Sequence, residues 1–239
     1  MAYNVLLGGD GRLKEIAAVI GREGPDAVAL LEANETGTSM LAEELGMESV
    51  IAASNHSFPR KRGICVAWLS CRPITRAENH VLPELSKTLL EIEIDGVQLF
   101  ATHLASRHEA ADHPREREMQ AIAGVLKGGN ELLVGDLNTI APEDPVGDPP
   151  PGIEPREDAR PRAPHHVLRP LADAGHVDCF RTMHPNDPGY TYPSDSPWLR
   201  LDYVFASAQL APRLRDCNVV RTELASRASD HLPVWAEFD

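Results

Sequence analysis

The residues able to do chemistry in this chain sit on, or just past, short apolar runs that read as strands. They are Asn4 in Tyr3-Asn4, Glu32 after Leu31, His103 in Thr102-His103, Asp136 and Asn138 in Gly135-Asp136-Leu137-Asn138, Asp202 in Leu201-Asp202-Tyr203, and the pair Asp230-His231 after Ser229. Carboxylate and amide oxygens suit a hard divalent cation, while imidazoles and amide N–H groups suit a phosphate. Held together, they match phosphate ester hydrolysis, which is chiefly a matter of positioning and neutralising charge.

Each residue also has a plainer use. Glu32 ends the apolar run Ala27–Leu31 and could simply face water. Asn4 lies inside the first apolar strand, so its amide must find backbone partners or turn its oxygen to a cation. Asp136 and Asn138 leave the buried run Glu131–Val134 two residues apart, on one side if the backbone stays extended. They would then orient a water against phosphorus and bond a phosphoryl oxygen, or else form an Asx-turn. Asp202 sits in Arg200-Leu-Asp-Tyr-Val-Phe, where an unpaired carboxylate would be costly. A histidine would satisfy it and fix the imidazole tautomer. His103 raises the same buried-polar question, and Ser229-Asp230-His231 alone could be a capping turn.

The elements that must position these groups follow from periodicity. Residues 2–7 read as a strand stopped by Gly8-Gly9, and Asp10 is placed to cap a helix over 11–22 with Leu13, Ile16, Ala17 and Ile20 on one face. Ala27–Leu31 is a continuous apolar run, as in a strand covered on both faces. A helix is expected over 38–45, then strands near 48–53, 64–69, 74–81, 87–94 and 97–103, with Asp95-Gly96 as a turn. A helix over 112–127, a strand at 131–134, a short helix at 165–174 and strands near 190–192, 201–206, 214–221 and 232–237 complete the reading. Residues 141–164 hold eight Pro and six Asp or Glu, a composition that forms neither helix nor strand, so a mobile surface excursion is expected there. Because chemistry-bearing residues flank it on both sides, residues 1–239 are expected to form a single domain. Strand pairs between helices suggest two packed sheets with helices outside, an α/β domain.

At 239 residues the chain can bury a large core, and no run approaches the ~20 apolar residues of a membrane span. The start has no basic region followed by a long apolar stretch, and the four cysteines form no CxxC pair, so a cytoplasmic protein with reduced thiols is expected. A net charge of −13 argues against wrapping nucleic acid on a broad basic face. It leaves open an enzyme that reaches phosphates through a metal and a few local cations.

Taken in order, Tyr3-Asn4, Ala29-Leu-Leu-Glu32, Ala101-Thr-His103-Leu, Val134-Gly-Asp136-Leu-Asn138, Arg200-Leu-Asp202-Tyr-Val-Phe and Ser229-Asp230-His231-Leu-Pro resemble the motif set of the endonuclease/exonuclease/phosphatase superfamily, across residues 3–233. That group includes pancreatic-type deoxyribonucleases, apurinic endonucleases, neutral sphingomyelinases and inositol polyphosphate phosphatases. The resemblance implies a DNase-like four-layer sandwich of two mixed β-sheets flanked by helices. It implies Glu32 as principal ligand of Mg²⁺ (or Mn²⁺), with Asn4 and Asp230 near the same site. Asp136 would hold or deprotonate the attacking water, and Asn138 would bind a phosphate oxygen. His231 would contact the phosphate, oriented by Asp202, and His103 would stand on the leaving-group side. One departure is Leu31, where many relatives carry Gln.

Substrate choice is read from loops. Arg60 and Arg62, in Pro59-Arg-Lys-Arg, together with Arg107 and Arg200, are candidate grips for a second phosphate. Tyr190, Tyr192 and Trp198 could stack a flat group or merely pack. The expectation is a Mg²⁺-dependent phosphodiesterase acting as a nuclease on DNA or RNA, with no protein partner indicated. The alternatives are a small-molecule or phospholipid-headgroup phosphoesterase, and a non-catalytic phosphate-binding protein on the same fold.

Overall fold

Alternation of side chains along the strands decides how the chain layers. The computed structural model describes residues 1–53, 65–106, 114–152, 154 and 166–239. Its first sheet holds β1 (Ala2–Asn4), β2 (Ala27–Ala33), β3 (Glu48–Ala53), β4 (Cys65–Ser70), β11 (Leu214–Val219) and β12 (Val234–Phe238), in the order β11-β12-β1-β2-β4-β3. The second holds β5 (Arg76–His80), β6 (Leu89–Ile94), β7 (Val97–His103), β8 (Glu131–Asp136), β9 (Val177–Asp178) and β10 (Asp202–Ala206), in the order β5-β6-β7-β8-β10-β9. The helices are α1 (Leu13–Glu23), α2 (Glu35–Leu45), α3 (Pro114–Val125), α4 (Arg169–Asp173), α5 (Cys179–Met183) and α6 (Glu223–Ala228).

On β7, β8 and β10, the residues Ala101, Val134 and Val204 join the core that also holds β1, β2 and α1. Their neighbours Phe100, Leu133, Tyr203 and Phe205 turn the other way, onto Met119 and Ile122 of α3 and Leu171 of α4. The result is helix, sheet, sheet, helix, the four-layer sandwich expected. Helix α1 shows why: Ile16 and Ile20 are fully buried on one stripe, each contributing about 1.5–3 kcal/mol.

The sheets share one plan. Each has a single parallel pair at its centre, β1 with β2 and β7 with β8, bridged by α1 and α3 respectively. The remaining pairings are antiparallel, and an antiparallel strand pair lies at matching edges: β11-β12 against β1, β5-β6 against β7. Parallel strands need such a helical crossover, so the carboxyl ends of each pair emerge side by side.

Several expectations change in detail. Asp10 does not cap α1; Arg12 holds that position without a side-chain cap, after Gly8, Gly9 and Gly11 turn the chain with positive φ. The strand expected at 190–192 is an isolated bridge between Tyr192 and Leu199, because Pro193 lacks the N–H that would extend the ladder. The stretch 141–164 is not a free excursion at its start. Ala141 is buried, the Gly147 amide bonds the Trp198 carbonyl at 3.0 Å, and Asp144 anchors a buried ion cluster. Position 153 and residues 155–165 lie outside the described residues, as do Arg60, Arg62 and Arg107. Cys71, Cys179 and Cys217 are free thiols. Among the described residues, no helix is long and apolar enough to cross a membrane.

Candidate active site

Strand parity brings four of the candidate residues into one gap. Asn4 shares the inward parity of Ala2, His103 that of Ala101, Asp136 that of Val134, and Asp202 that of Val204. All four lie at the same pole, where β1, β7 and β8 end and β10 begins. Their pairing registers agree: His103 stands beside Asp136 on the parallel pair, and Asp202 faces Asp136 across the antiparallel one. All are buried, at 1–3% exposure, so each needs partners.

Asp136 is the centre of the network. Its Oδ2 accepts from Asn4 Nδ2 at 3.0 Å, a bond that crosses from one sheet to the other. His103 Nε2 lies 3.3 Å from the same oxygen, and His231 Nε2 3.7 Å. Its Oδ1 accepts from the Asn138 amide at 3.0 Å. Asn138 Nδ2 in turn reaches the Leu104 carbonyl at 3.2 Å and lies 3.0 Å from His103 Nε2. His231 Nδ1 is 2.8 Å from Asp202 Oδ2, the pairing expected for a carboxylate in a strand. Asp202 Oδ1 is buried with no hydrogen-bond partner among the described residues.

Two local geometries differ from the sequence expectation. Asn138 does not continue an extended strand; its φ is +49°, and the Asp136–Asn138 bond closes an Asx-turn. The turn and the catalytic-type pair are therefore one structure rather than alternatives. Asn4 makes the matching turn, its Oδ1 accepting from the Leu6 amide at 3.0 Å. Glu32 does not terminate its strand either. It lies within β2 at a register shift between Leu31 and Ala33, with φ +57°. Regular alternation would point it away from the inward face of Leu31, and the bulge re-aims it. The Leu7 amide then binds Glu32 Oε2 at 3.0 Å.

Backbone strain gathers here. Among the described residues, the non-glycine positions with φ in the left-handed region are Leu6, Leu7, Glu32, Asn138 and Asp95. Only Asp95, in the β6–β7 turn, is remote from this pole. Such conformations cost roughly 1–3 kcal/mol each and persist where surrounding contacts over-determine them.

The electrostatics are those of crowded acids. Burial, reinforced by Asp202, pushes Asp136 above the usual carboxylate range despite His231 and Lys87. Burial, Glu32 and Asp136 likewise raise Asp230, against His231. Burial alone would lower His231, but Asp202 and then Asp136 reverse this and raise it to about 10, so it is an imidazolium at neutral pH. Asp136, Asp202 and His231 offer ligand atoms within 4.8 Å of one another, a group that could hold a metal ion. Glu32 and Asp230 bring the carboxylates here to four, and among the described residues His231 and Lys87 are the cations that act on Asp136.

Arg200 is corrected. Rather than meeting substrate, it is 1% exposed, forked onto Asp144 at 2.6 and 2.8 Å and onto Asp178 at 2.5 and 3.1 Å, with its guanidinium 4.4 Å from the Tyr203 ring centroid. Arg181 adds a 2.7 Å bond to Asp144. The cluster ties the segment after Asn138 to β10, so Arg200 braces the site from below. Trp198 is core, packed with Ile140, Leu199 and Leu201. Tyr192, by contrast, sets its ring 4.7 Å from His231.

Some neighbours of the site carry weak sequence signals. Lys87 is buried with Nζ on the Leu104 carbonyl at 3.0 Å, within electrostatic reach of Asp136. Lys87 is in phase with Leu89, which packs on the α3 side, so strand alternation does not point the lysine at the site. Ser229 Oγ donates to the Asn4 carbonyl at 2.6 Å, joining segments 225 residues apart, which no local pattern reveals.

Comparison with known proteins agrees with this fold. The profile of the Endonuclease/Exonuclease/phosphatase family matches residues 1–231. Among solved structures, an AP endonuclease from Archaeoglobus fulgidus superposes with TM-score 0.75 at 21% identity, covering 100% of this chain and 98% of that one. A 3′ phosphatase, NExo, from Neisseria bound to product DNA hairpin gives 0.76 at 23%, with 100% and 98% covered. An endonuclease/exonuclease/phosphatase from Beutenbergia cavernae gives 0.75 at 21%, with 98% and 69% covered. Among curated protein sequences none matches.

Proposed function

The chain belongs to the endonuclease/exonuclease/phosphatase family, and from that premise we propose that it is a divalent-metal-dependent phosphodiesterase acting on nucleic acid. The observation that carries the reading is Asp136: a buried carboxylate bonded across the inter-sheet gap to Asn4, with His231 Nε2 3.7 Å away and that ring's Nδ1 held by Asp202 at 2.8 Å.

Four crowded carboxylates, two with raised affinity for protons and Asp202 with an orphaned buried oxygen, form a donor set that suits Mg²⁺ or Mn²⁺. Glu32, Asp230 and Asn4 are the residues that would hold it. His231 and Asp202 are already committed to each other at 2.8 Å, which favours these three over the Asp136–Asp202–His231 group. When bound, such a cation neutralises phosphoryl charge and acidifies water.

The protein's own residues do the rest. Asp136 accepts the proton of the attacking water, and its raised pKa makes it a stronger base than an ordinary aspartate. Asn138 offers amide N–H groups to a non-bridging oxygen. The His231 imidazolium, fixed by Asp202, supplies a charged donor to the same phosphoryl group. His103, beside Asn138, stands on the leaving-group side. Lys87 adds a fixed positive charge beneath them.

Nucleic acid is favoured as substrate by the names of the neighbours, an AP endonuclease and a DNA-bound 3′ phosphatase. The net charge of −13 favours a second reading, hydrolysis of small phosphate esters. Turnover of single- and double-stranded DNA, RNA and bis-p-nitrophenyl phosphate with Mg²⁺ and Mn²⁺ separates them. Nucleic-acid cleavage that drops at least about 100-fold in Asn138→Ala is expected. Robust small-ester turnover with intact nucleic acid would remove the nuclease reading. Wild-type rates in Asn138→Ala would place the chemistry elsewhere.

A further inference from the structure

We infer that Arg12 is a positioning residue that locks the cation-binding half of the site by tying together the two loops that carry its ligands. The inference rests on the reading that Asn4, Glu32 and Asp230 hold a divalent cation.

Arg12 sits at the head of α1, yet its guanidinium faces carbonyls from distant parts of the chain. Nη2 donates to the Leu6 carbonyl at 2.7 Å and the Val5 carbonyl at 3.3 Å, and Nη1 donates to the Ala228 carbonyl at 2.8 Å. Nε completes the set on the Asp10 carbonyl at 3.4 Å. Among the described residues, no carboxylate pairs with it. A cation satisfied only by carbonyls is not there for an ion pair; its rigid fork joins chain segments.

Those segments are the ones that matter. Val5 and Leu6 follow Asn4 directly and lead to Leu7, whose amide holds Glu32 Oε2. Ala228 lies two residues before Asp230, and Ser229 adds a second tie to the Asn4 carbonyl. Leu6 and Leu7 have φ of +50° and +52°, which a branched side chain adopts only under constraint. The Arg12 bond to the Leu6 carbonyl supplies that constraint. Without it the loop relaxes toward ordinary φ, the Leu7 amide leaves Glu32, and Asp230 drifts from Asn4. Lysine keeps the charge but, as a point donor on a flexible stem, cannot span three carbonyls in a fixed plane.

The test is calorimetric titration of the full chain with Mn²⁺ alone, alongside thermal melting without metal. Arg12→Lys is expected to weaken Mn²⁺ binding at least about tenfold while the metal-free melting temperature stays within about 3 °C of wild type, a split that general destabilisation does not produce. Ser229→Ala, which cuts the second tie, is expected to weaken binding in the same direction. Arg72→Lys, at the opposite pole, is expected to leave it unchanged. Wild-type Mn²⁺ affinity in Arg12→Lys overturns the inference; should that variant not fold, wild-type affinity in Ser229→Ala overturns it instead. Absence of Mn²⁺ binding by the wild type overturns the cation-site reading itself.

Discussion

Gly135 offers a perturbation whose size can be worked from distances. It lies opposite Thr102 in the parallel β7–β8 pair, one step before the His103–Asp136 register. A Cβ added there would stand 1.9 Å from the Thr102 carbonyl oxygen, whereas real Cβ atoms essentially never approach within 3.0 Å. The obstacle is backbone in a central ladder, so no side chain can swing aside. From 1.9 to 3.0 Å is a displacement of about 1.1 Å, shared by two strands whose next residues are the catalytic-type pair. Overpacking of this kind costs roughly 1–3 kcal/mol, and for a chain of this size each kcal/mol lowers Tm by about 2–4 °C. A shift near 1 Å at reacting groups costs on the order of 100-fold in rate. Gly135→Ala should therefore lose more activity than stability. Gly124→Ala is the control, because its added Cβ meets nothing within 4 Å and it lies in α3. That variant should be neutral or more stable by about 0.4–1 kcal/mol. Phosphodiester turnover at saturating metal and thermal melting measure both. Gly135→Ala with a rate within threefold of wild type and an unchanged Tm would refute the reasoning.

Other outcomes follow from the buried charges. Asp202→Asn should slow phosphodiester turnover about 100-fold or more, because an amide cannot hold the imidazolium of His231 as a carboxylate does; an unchanged rate would break the pairing argument. Asp144→Ala should cost roughly 3–5 kcal/mol in denaturant unfolding, since it strips a partner from both Arg200 and Arg181 inside the fold, and a change below 1 kcal/mol would show the cluster to be dispensable. Burial would raise the Glu131 carboxyl, but His176 and the Gly128 and Lys127 amides outweigh it and hold it below its ordinary 4.5. Its contribution to stability is therefore complete above pH 4.5 and lost as pH falls through the depressed folded value. Unfolding measured between neutral and acid pH should show that loss, and Glu131→Gln should flatten it; a parallel pH profile in the variant would count against the account.

The chemistry-bearing residues were readable because a polar group inside an apolar run violates the pattern, as Asn4, His103, Asp136 and Asp202 all do. The parity of their strands then placed them on one side. Hidden were the features set by backbone in the left-handed region. Nothing in Leu31-Glu32-Ala33 announces a bulge, and Gly135-Asp136-Leu137-Asn138 reads equally as extended or turned. Arg200 misled because a basic residue near a site looks like a phosphate grip until Asp144 and Asp178 close on it, and both lie far off in sequence. Helices α5 and α6, at five and six residues, are too short to show a period. The packing of β12 against β1 is a contact between opposite ends of the chain, which local patterns do not encode.

That last contact sets when the candidate site is assembled. Because β1 is flanked by β2 on one side and β12 on the other, β1 waits for a strand made some 230 residues later before its ladder is complete. Asp230 and His231 arrive on the same late segment. A nascent chain, or a fragment cut anywhere in the middle, thus carries Asn4 and Glu32 without the groups that answer them. The proposed hydrolytic centre is complete only once the molecule's own seam has closed through these non-local contacts.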